Sequence, residues 1–383
     1  MTEAGIKVFC EADKCTGCNA CALSCPVGAV FVEKKLFSNR AIINTHKCIE
    51  CGLCQKVCQA KNPPFLSSSI EWKEGWASDP VVRDSSASGG LAKAIMLHFL
   101  RKEWKVFCCV AKKDIFIYEE ISMDKGIPFA SGSFYVKSET ADSFKNVKKY
   151  LLSGFHVLFI GLPCHVAGLV LYLRNTSLEK LLTIDIICHG TPSLPLFKLF
   201  TDECGVRSFN RISFRQKHQK TDVPHRFDYW DVPFLDGLTY TDNCYNCRFA
   251  AEERCSDVTL GDSWGTQRNA KEQNKGISLV IINSEKGKEA ISEIEAQLFS
   301  VDQKRSIEKQ GQLKKPASPH PARKRFATLL KRTLNYKKAV KKVYFFKILI
   351  ARIKMIKPVY KIYRKIKPPK NQEFICFSVK EQE

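Results

Sequence analysis

Cys15-Thr16-Gly17-Cys18-Asn19-Ala20-Cys21-Ala22-Leu23-Ser24-Cys25-Pro26 is matched in spacing by Cys48-Ile49-Glu50-Cys51-Gly52-Leu53-Cys54-Gln55-Lys56-Val57-Cys58-Gln59. Three thiolates two residues apart wrap a tight loop around one cubane, and the fourth points into the other half of the fold. In two-cluster ferredoxins that fourth cysteine ligates the neighbouring cluster. The spacing therefore predicts one 4Fe–4S cluster on Cys15, Cys18, Cys21 and Cys58, and a second on Cys48, Cys51, Cys54 and Cys25. Zinc sites pair two Cys-x2-Cys units and do not call for four cysteines in eleven residues. Between the blocks, Ala29-Val30-Phe31-Val32 and Arg40-Ala41-Ile42-Ile43-Asn44 read as short strands. Gln59 stands where the second block would usually carry proline, which removes no ligand. Cys10 falls outside the pattern and reads as a small apolar residue.

The chain has 383 residues and 18 cysteines, enough for two or three domains with a buried core. Residues 1–10 lack the apolar run of a signal peptide. Cysteines in that context point to metal thiolates in a reducing cytoplasm rather than to a disulfide framework. The net charge of +22 is uneven: residues 303–383 hold 24 Lys/Arg against 4 Asp/Glu, leaving 37 against 35 elsewhere. The basicity thus belongs to a tail and says little about the body.

Beyond Asn62-Pro63-Pro64 a Ser-rich stretch reads as a linker, and the coarse pattern becomes α/β. Val157-Leu158-Phe159-Ile160 is a buried-strand run ended by Gly161-Leu162-Pro163, with a helix from Cys164 to about Arg174. Leu182-Thr183-Ile184-Asp185-Ile186-Ile187 is a second such strand, ending at Cys188-His189-Gly190. A right-handed βαβ unit would set Cys164 and Cys188 at the carboxyl edge of neighbouring strands, where α/β folds bind ligands. Cys244-x2-Cys247, with Cys255 eight residues on, adds enough thiolates for a third metal site. Zinc stays open there on ligand type alone.

An ordered set of motifs then becomes informative. It runs Ser86-Ala87-Ser88-Gly89-Gly90, Gly132-Ser133-Phe134-Tyr135-Val136-Lys137-Ser138, Gly161-Leu162-Pro163-Cys164-His165-Val166-Ala167-Gly168-Leu169 and Asp185-Ile186-Ile187-Cys188-His189-Gly190-Thr191-Pro192-Ser193. Phe214-Arg215-Gln216-Lys217, Cys244-x2-Cys247 and Ser256-Asp257-Val258-Thr259-Leu260-Gly261-Asp262-Ser263-Trp264-Gly265 complete it. The set resembles the beta subunit family of coenzyme F420 hydrogenases and dehydrogenases, over about residues 1–300. Within it, the chain is most similar to the bacterial branch with a fused dicluster ferredoxin domain, often found among polysaccharide-biosynthesis proteins. Ala87 and Phe134 replace a serine and a lysine common in those motifs.

The resemblance implies FAD and one further 4Fe–4S cluster, on Cys164, Cys188, Cys244 and Cys247 with Cys255 in reserve. Cys108, Cys109, Cys204 and Cys376 match no motif and read as structural. The flavin expectation has physical support at Ser86, Ser88, Gly89 and Gly90, which precede an apolar helical stretch. Serine can cap that helix, and glycines let backbone approach a pyrophosphate; a plain capped helix after a turn is the alternative. Lys137 can pair with a flavin phosphate or stay solvated. A flavin would connect one-electron clusters to a two-electron reduction. His189, beside Cys188, is the candidate proton donor, or simply a hydrogen-bonding neighbour of the cluster. Asp257, Asp262 and Arg215 are candidates to shape a substrate pocket.

The expected fold is a small α+β ferredoxin domain (residues 1–62), a linker (63–80) and an α/β body with a mostly parallel sheet. The body spans residues 81–300, divided at 170/171, and a basic helical or disordered tail covers 301–383. Phe326, Leu329, Leu330, Thr333 and Leu334 keep helical spacing, extended by Val340, Val343 and Tyr344. No apolar run there approaches the roughly 20 residues that span a bilayer. The tail suits an anionic membrane surface at the inner face, or a solvated disordered segment. No nucleic-acid module is present. The expected activity is an iron–sulfur flavoprotein oxidoreductase reducing a small molecule, for instance in cell-surface glycan assembly, with a redox partner such as ferredoxin. The alternatives are a subunit relaying electrons to a separate catalytic partner, and a coenzyme F420-dependent reductase.

Overall fold

A computed structural model of the protein describes residues 5–123, 133–214, 228–354 and 378–379. Arg215, Gln216, Lys217 and Cys376 lie outside the described residues.

Strands β1 (Ile6–Cys10), β2 (Val30–Lys34) and β3 (Asn39–Asn44) form an antiparallel sheet in the order β1-β3-β2. Each cysteine block wraps a one-turn helix, Ala20–Leu23 or Leu53–Lys56. The residue after the second cysteine of each block is left-handed, Asn19 at φ 63° and Gly52 at φ 70°. Two internal copies thus solve one backbone problem with the two residue types that best tolerate it.

The body is an eight-stranded mixed sheet built from β4 (Glu71–Ala77), β5 (Lys105–Ala111), β6 (Phe116–Ile121), β7 (Val157–Gly161), β8 (Leu181–Ile186), β10 (Val258–Asp262), β11 (Ser278–Ile282) and β12 (Ala296–Ser300). Strand β9 (Ile212–Ser213) lies apart and pairs with β13 (Ser378–Val379). The order is β12-β4-β11-β10-β8-β7-β5-β6, with β5, β7, β8 and β10 parallel at the centre and antiparallel pairings outside. The crossover from β7 to β8 is the helix Pro163–Tyr172.

Every residue of β7 is buried, because successive side chains enter opposite layers. Leu158 and Ile160 join the helix Leu91–Arg101 on one face, through Ile95, Met96 and Phe99. Val157 and Phe159 join the other face, where Phe144, Val166 and Leu169 meet Cys18, Ala20, Val30 and Ala41 of the ferredoxin domain. The ferredoxin domain therefore shares a core with the body instead of swinging on a tether.

Two boundaries differ from expectation. The stretch read as a linker contains β4, which pairs antiparallel with both β11 and β12. Its charges concealed it: Glu74 is buried, yet its carboxylate accepts bonds from Ser263 Oγ (2.6 Å), Thr266 Oγ1 (3.0 Å) and Arg268 Nε (3.2 Å). The segment read as a tail is also tied in. Phe326 and Leu330 of the helix Arg323–Thr333 are buried, as are Tyr336, Ala339 and Val340 of the helix Tyr336–Val343. They pack with Phe197, Phe200 and Trp230. Arg323 lies 4.2 Å above the Phe37 ring of the ferredoxin domain and donates to Leu238 O (2.6 Å), Tyr240 O (2.7 Å) and Asp242 Oδ1 (3.1 Å).

Candidate iron–sulfur and redox site

The eight ferredoxin cysteines fall into two groups. Burial raises the Cys21 thiol first, and the neighbouring sulfurs of Cys18, Cys15 and Cys58 raise it further. Cys54 is raised by burial and then by Cys25, Cys48 and Cys51. The fourth cysteine of each block thus sits with the other block's three. Cys15, Cys18, Cys21 and Cys58 are buried against the body, whereas Cys51 is exposed and Cys25, Cys48 and Cys54 are half-buried. Cys10 is not a mere space-filler: its thiol hydrogen-bonds Cys15 and Cys58, which lowers Cys58 to about 6.

A third thiol group forms at the carboxyl edge of the parallel strands. Cys164 is the second residue of its helix, Cys188 follows β8, and Cys244 and Cys247 lie on a 3-10 turn, Asp242–Asn246, and just past it. Burial raises Cys164, and Cys247, Cys188 and Cys244 add to the shift; burial and then Cys244 push Cys188 to about 12. The raised sulfurs of Cys164, Cys188 and Cys247 are stable there as neutral thiols or as ligands of a positive centre. Cys255 stands apart, raised to about 12 by burial and by Asp185 rather than by these sulfurs. Among the described residues, no three His, Cys, Asp or Glu side chains converge on a point that would hold one ion. That holds for all three thiol groups alike. A lone zinc would need its sulfurs about 2.3 Å from one centre.

The third group adjoins the buried ferredoxin group. A Cβ on Gly168 would lie 2.9 Å from both Cβ and Sγ of Cys18, so the helix bearing Cys164 touches the ferredoxin loop one turn later, ~6 Å along its axis. Gln59 donates its amide to Cys164 O (2.6 Å) and Thr16 Oγ1 (3.1 Å). Thr140 Oγ1 donates to Cys18 O (3.2 Å). Lys137 donates to Thr16 O (3.2 Å), Thr241 Oγ1 (3.1 Å) and Asn243 Oδ1 (3.4 Å). Burial works against its charge, but the sulfurs of Cys244, Cys164, Cys188 and Cys15 outweigh that and raise its pKa. Lys137 is therefore a buried cation between two thiol groups, neither solvated nor beside residues 86–90.

Those residues pack as follows. Ser86 Oγ donates to Val82 O (2.7 Å), Ser88 Oγ to Ile277 O (3.1 Å), and Gly89 N–H to Ser278 Oγ (3.1 Å). The expected serine cap is not made; the N-cap is Gly90, left-handed at φ 84°, and no side chain caps the helix. Gly89 is required by packing, since a Cβ there would meet Gly75 O at 2.4 Å. Lys93, in the first turn of this eleven-residue helix, reaches Ser85 Oγ (2.9 Å).

His189 is exposed next to Cys188; crowding lowers its pKa, with Asp262 acting in the opposite sense. Exposed Ile186 and Trp264 lie on the same edge. Asp257 is elsewhere, at the amino end of β10, about 16 Å along the strand from Asp262. It accepts from Thr183 N (2.8 Å), Thr183 Oγ1 (2.8 Å) and Ser284 Oγ (2.7 Å), a structural clasp rather than a pocket residue. Of the unassigned cysteines, Cys108 is buried, Cys109 pairs with Ser138 Oγ (3.0 Å), and Cys204 is exposed at a helix end. Sequence reading missed His165, wholly buried with Nδ1 3.1 Å from Tyr118 OH and lowered to about 3 by burial. The repeated Cys-His pairs at 164–165 and 188–189 were the available signal.

Residues 155–305 match the family model for the carboxyl-terminal part of the coenzyme F420 hydrogenase/dehydrogenase beta subunit. Residues 14–62 match the 4Fe–4S dicluster domain. Residues 155–305 of the body are thus similar to the carboxyl-terminal part of the coenzyme F420 hydrogenase/dehydrogenase beta subunit. The chain carries a dicluster 4Fe–4S domain at its N-terminal end and is an oxidoreductase-type electron-transfer protein. A search of curated proteins finds no match. One solved structure, of the xenon-derivatised F420-reducing [NiFe] hydrogenase complex from Methanosarcina barkeri, contains a chain similar over 67% of this chain and 98% of that one, at 18% identity and a TM-score of 0.46.

Proposed function

We propose that this chain is an iron–sulfur flavoprotein oxidoreductase. In this reading Cys15, Cys18, Cys21 and Cys58 hold the buried ferredoxin cluster and Cys48, Cys51, Cys54 and Cys25 the outer one. A third 4Fe–4S cluster sits on Cys164, Cys188, Cys244 and Cys247. The observation that carries the reading is the convergence of those last four thiols, from three separate segments, against the loop of residues 15–18. The exposure of Cys51 supports electron entry at the outer cluster, and burial of the inner one supports transfer inward.

FAD, when bound, supplies the exchange between single electrons and electron pairs. The residues of this chain would hold its phosphates at the start of the helix Leu91–Arg101, with Lys93 offering a cation. Lys137 offsets thiolate charge between the second and third centres. His189, exposed beside Cys188 and facing Asp262, is placed to give a proton to a small-molecule acceptor at that edge. Nucleotide sugars and lipid-linked sugars are the first acceptors to test, on the resemblance to the polysaccharide-associated branch.

The test is an iron, sulfide and flavin count on chain purified without oxygen. About twelve irons and one FAD support the reading; about eight irons and no flavin would sink the third cluster and the flavin together. Oxidation of reduced ferredoxin by the chain alone, with an acceptor present, separates an enzyme from a relay subunit.

We also propose that the C-terminal helices rest on an anionic membrane. Phe345, Phe346, Leu349 and Ile350 are 60%, 75%, 42% and 50% exposed, and Lys338, Lys341, Lys342 and Lys347 stand exposed beside them. Apolar side chains next to cations suit a lipid headgroup layer. Among the described residues, no helix is long and apolar enough to cross a membrane.

A further inference from the structure

The two cysteine blocks align position for position, so each residue by which the first grips the body has a counterpart in the second. In the first block, Thr16 O accepts from Lys137 (3.2 Å), Cys18 lies against Gly168 with its carbonyl bonded by Thr140, and Ala20 is wholly buried. The counterparts are Ile49, Cys51 and Leu53. Ile49 is 61% exposed, Cys51 is exposed and Leu53 is half-buried. The glycines tell the same story. A Cβ on Gly17 would press on Asn39 at 2.9 Å, whereas one on Gly28 or Gly52 would meet nothing within 4 Å. Asn44 ties the bare segments together: its N–H donates to Ala29 O (2.8 Å) and its carbonyl accepts from Lys47 N–H (3.3 Å). That brings Val27, 42% exposed, to the same end of the domain as Ile49. Exposed Lys47 precedes Cys48, and exposed Lys56 ends the short helix that carries Cys54. Over residues 5–62, six lysines are exposed against three acidic residues.

We propose that this face is the docking surface for an acidic one-electron carrier protein, seated over Cys51 with Ile49 and Val27 at its centre and Lys47 and Lys56 against its carboxylates. The proposal rests on the reading that electrons enter at the outer cluster, and names the partner that brings them. Exposed apolar side chains scattered singly over a surface need no explanation. Here they surround an exposed cysteine, at the positions that in the other block are filled by a protein contact. The repeat thus presents one set of docking positions twice; the body occupies the first, and the second is bare, with isoleucine where the first has Thr16. A carrier must leave after each transfer, which suits a contact of less than about 1,200 Å². A few apolar side chains supply the attraction at such a contact, and lysines at the rim steer an acidic partner and set its register. One electron passes from the carrier, which is oxidised, to the outer cluster, which is reduced; no bond forms or breaks.

The test uses the full chain, purified without oxygen with its iron in place, and an acidic plant-type ferredoxin as the probe. Binding of the two oxidised proteins is read by anoxic titration calorimetry. Wild type should bind, and the affinity should fall at least about fivefold between about 20 and 200 mM salt. Lys47→Glu/Lys56→Glu should weaken it at least about tenfold, and Ile49→Ala about fivefold or more. Lys288→Glu, exposed on the helix Glu285–Ser292, should stay within about twofold. If Ile49→Ala does not keep its iron, Val27→Ala, outside the ligand block, carries the same expectation. No binding by wild type, or unchanged affinity in Lys47→Glu/Lys56→Glu, would overturn the proposal. Self-association of the chain that the same two substitutions abolish would overturn it too, by assigning the face to a second copy. Stopped-flow reduction of the chain by reduced ferredoxin separates the docking face from the reading beneath it. Affinities as expected, with equal reduction rates in wild type and Lys47→Glu/Lys56→Glu, would leave the face standing and refute entry at the outer cluster.

Discussion

Gly168 packs directly against Cys18 of the ferredoxin domain, and adding carbon there perturbs a contact between that domain and the body. Carbon atoms ordinarily sit about 3.5–4.0 Å apart, whereas a Cβ at 168 would stand 2.9 Å from Cys18 Cβ and Sγ. An alanine must therefore displace the loop or the helix by about 0.6–1 Å. Neither yields readily: the loop closes on three cysteines and the helix is flanked by buried Val166 and Leu169. Overpacking of this kind costs about 1–3 kcal/mol, and alanine's better helix propensity returns up to about 1 kcal/mol. Gly168→Ala should thus lose about 0–3 kcal/mol, and Gly168→Leu, with no larger propensity gain and a bigger side chain, about 3 kcal/mol or more. At about 2–4 °C per kcal/mol for a domain of this size, Gly168→Leu should lower the unfolding temperature by about 6–12 °C in anoxic calorimetry. The loss should be visible first in iron content, because the strain falls on Cys18. A Gly168→Leu chain with wild-type iron and an unfolding temperature within about 1 °C of wild type would refute the close approach.

His165 is buried neutral, its pKa depressed to about 3 from an ordinary value of about 6.5. The unfolded chain binds a proton the native chain refuses, so this group's contribution is fully present above about pH 6.5 and is lost as pH falls toward 3. Urea unfolding between pH 5.5 and 7.5 should show stability rising with pH by up to about 1.4 kcal/mol per unit at the acid end; an unaltered slope in His165→Gln would show the group does not titrate this way. Cys188→Ser should remove about four irons per chain and Cys255→Ser none; loss of iron in the second variant alone would move the third centre's fourth ligand. Binding to vesicles with anionic lipid should weaken at least about tenfold in Phe345→Ser/Phe346→Ser and with added salt, and should be negligible on neutral vesicles. Equal binding to both vesicle types would remove the electrostatic component.

The cysteine repeat made its own case from sequence, because cluster ligation demands fixed spacing within a dozen residues. Strands β7 and β8 were equally plain, since burial on both faces leaves an unbroken apolar run. Strand β4 was hidden for the converse reason: buried Glu74 is made tolerable by Ser263, Thr266 and Arg268, residues about 190 positions away. The helices after residue 320 carried the right spacing, but their abundant charge masked how Phe326 and Tyr336 fill the core.

Spacing along the chain settled which cysteines belong to which ferredoxin loop, and motif order pointed to the family whose model matches residues 155–305. What no local pattern contains is how separate segments meet. That Cys255 is left out of the third group, that Lys137 lies between two sets of thiols, and that Asp257 clasps the far end of the sheet follow from parallel strand order and helix packing. Gln59 is the clearest case: one substitution in a familiar loop has no meaning until the chain brings Cys164, 105 residues later, within 2.6 Å of it.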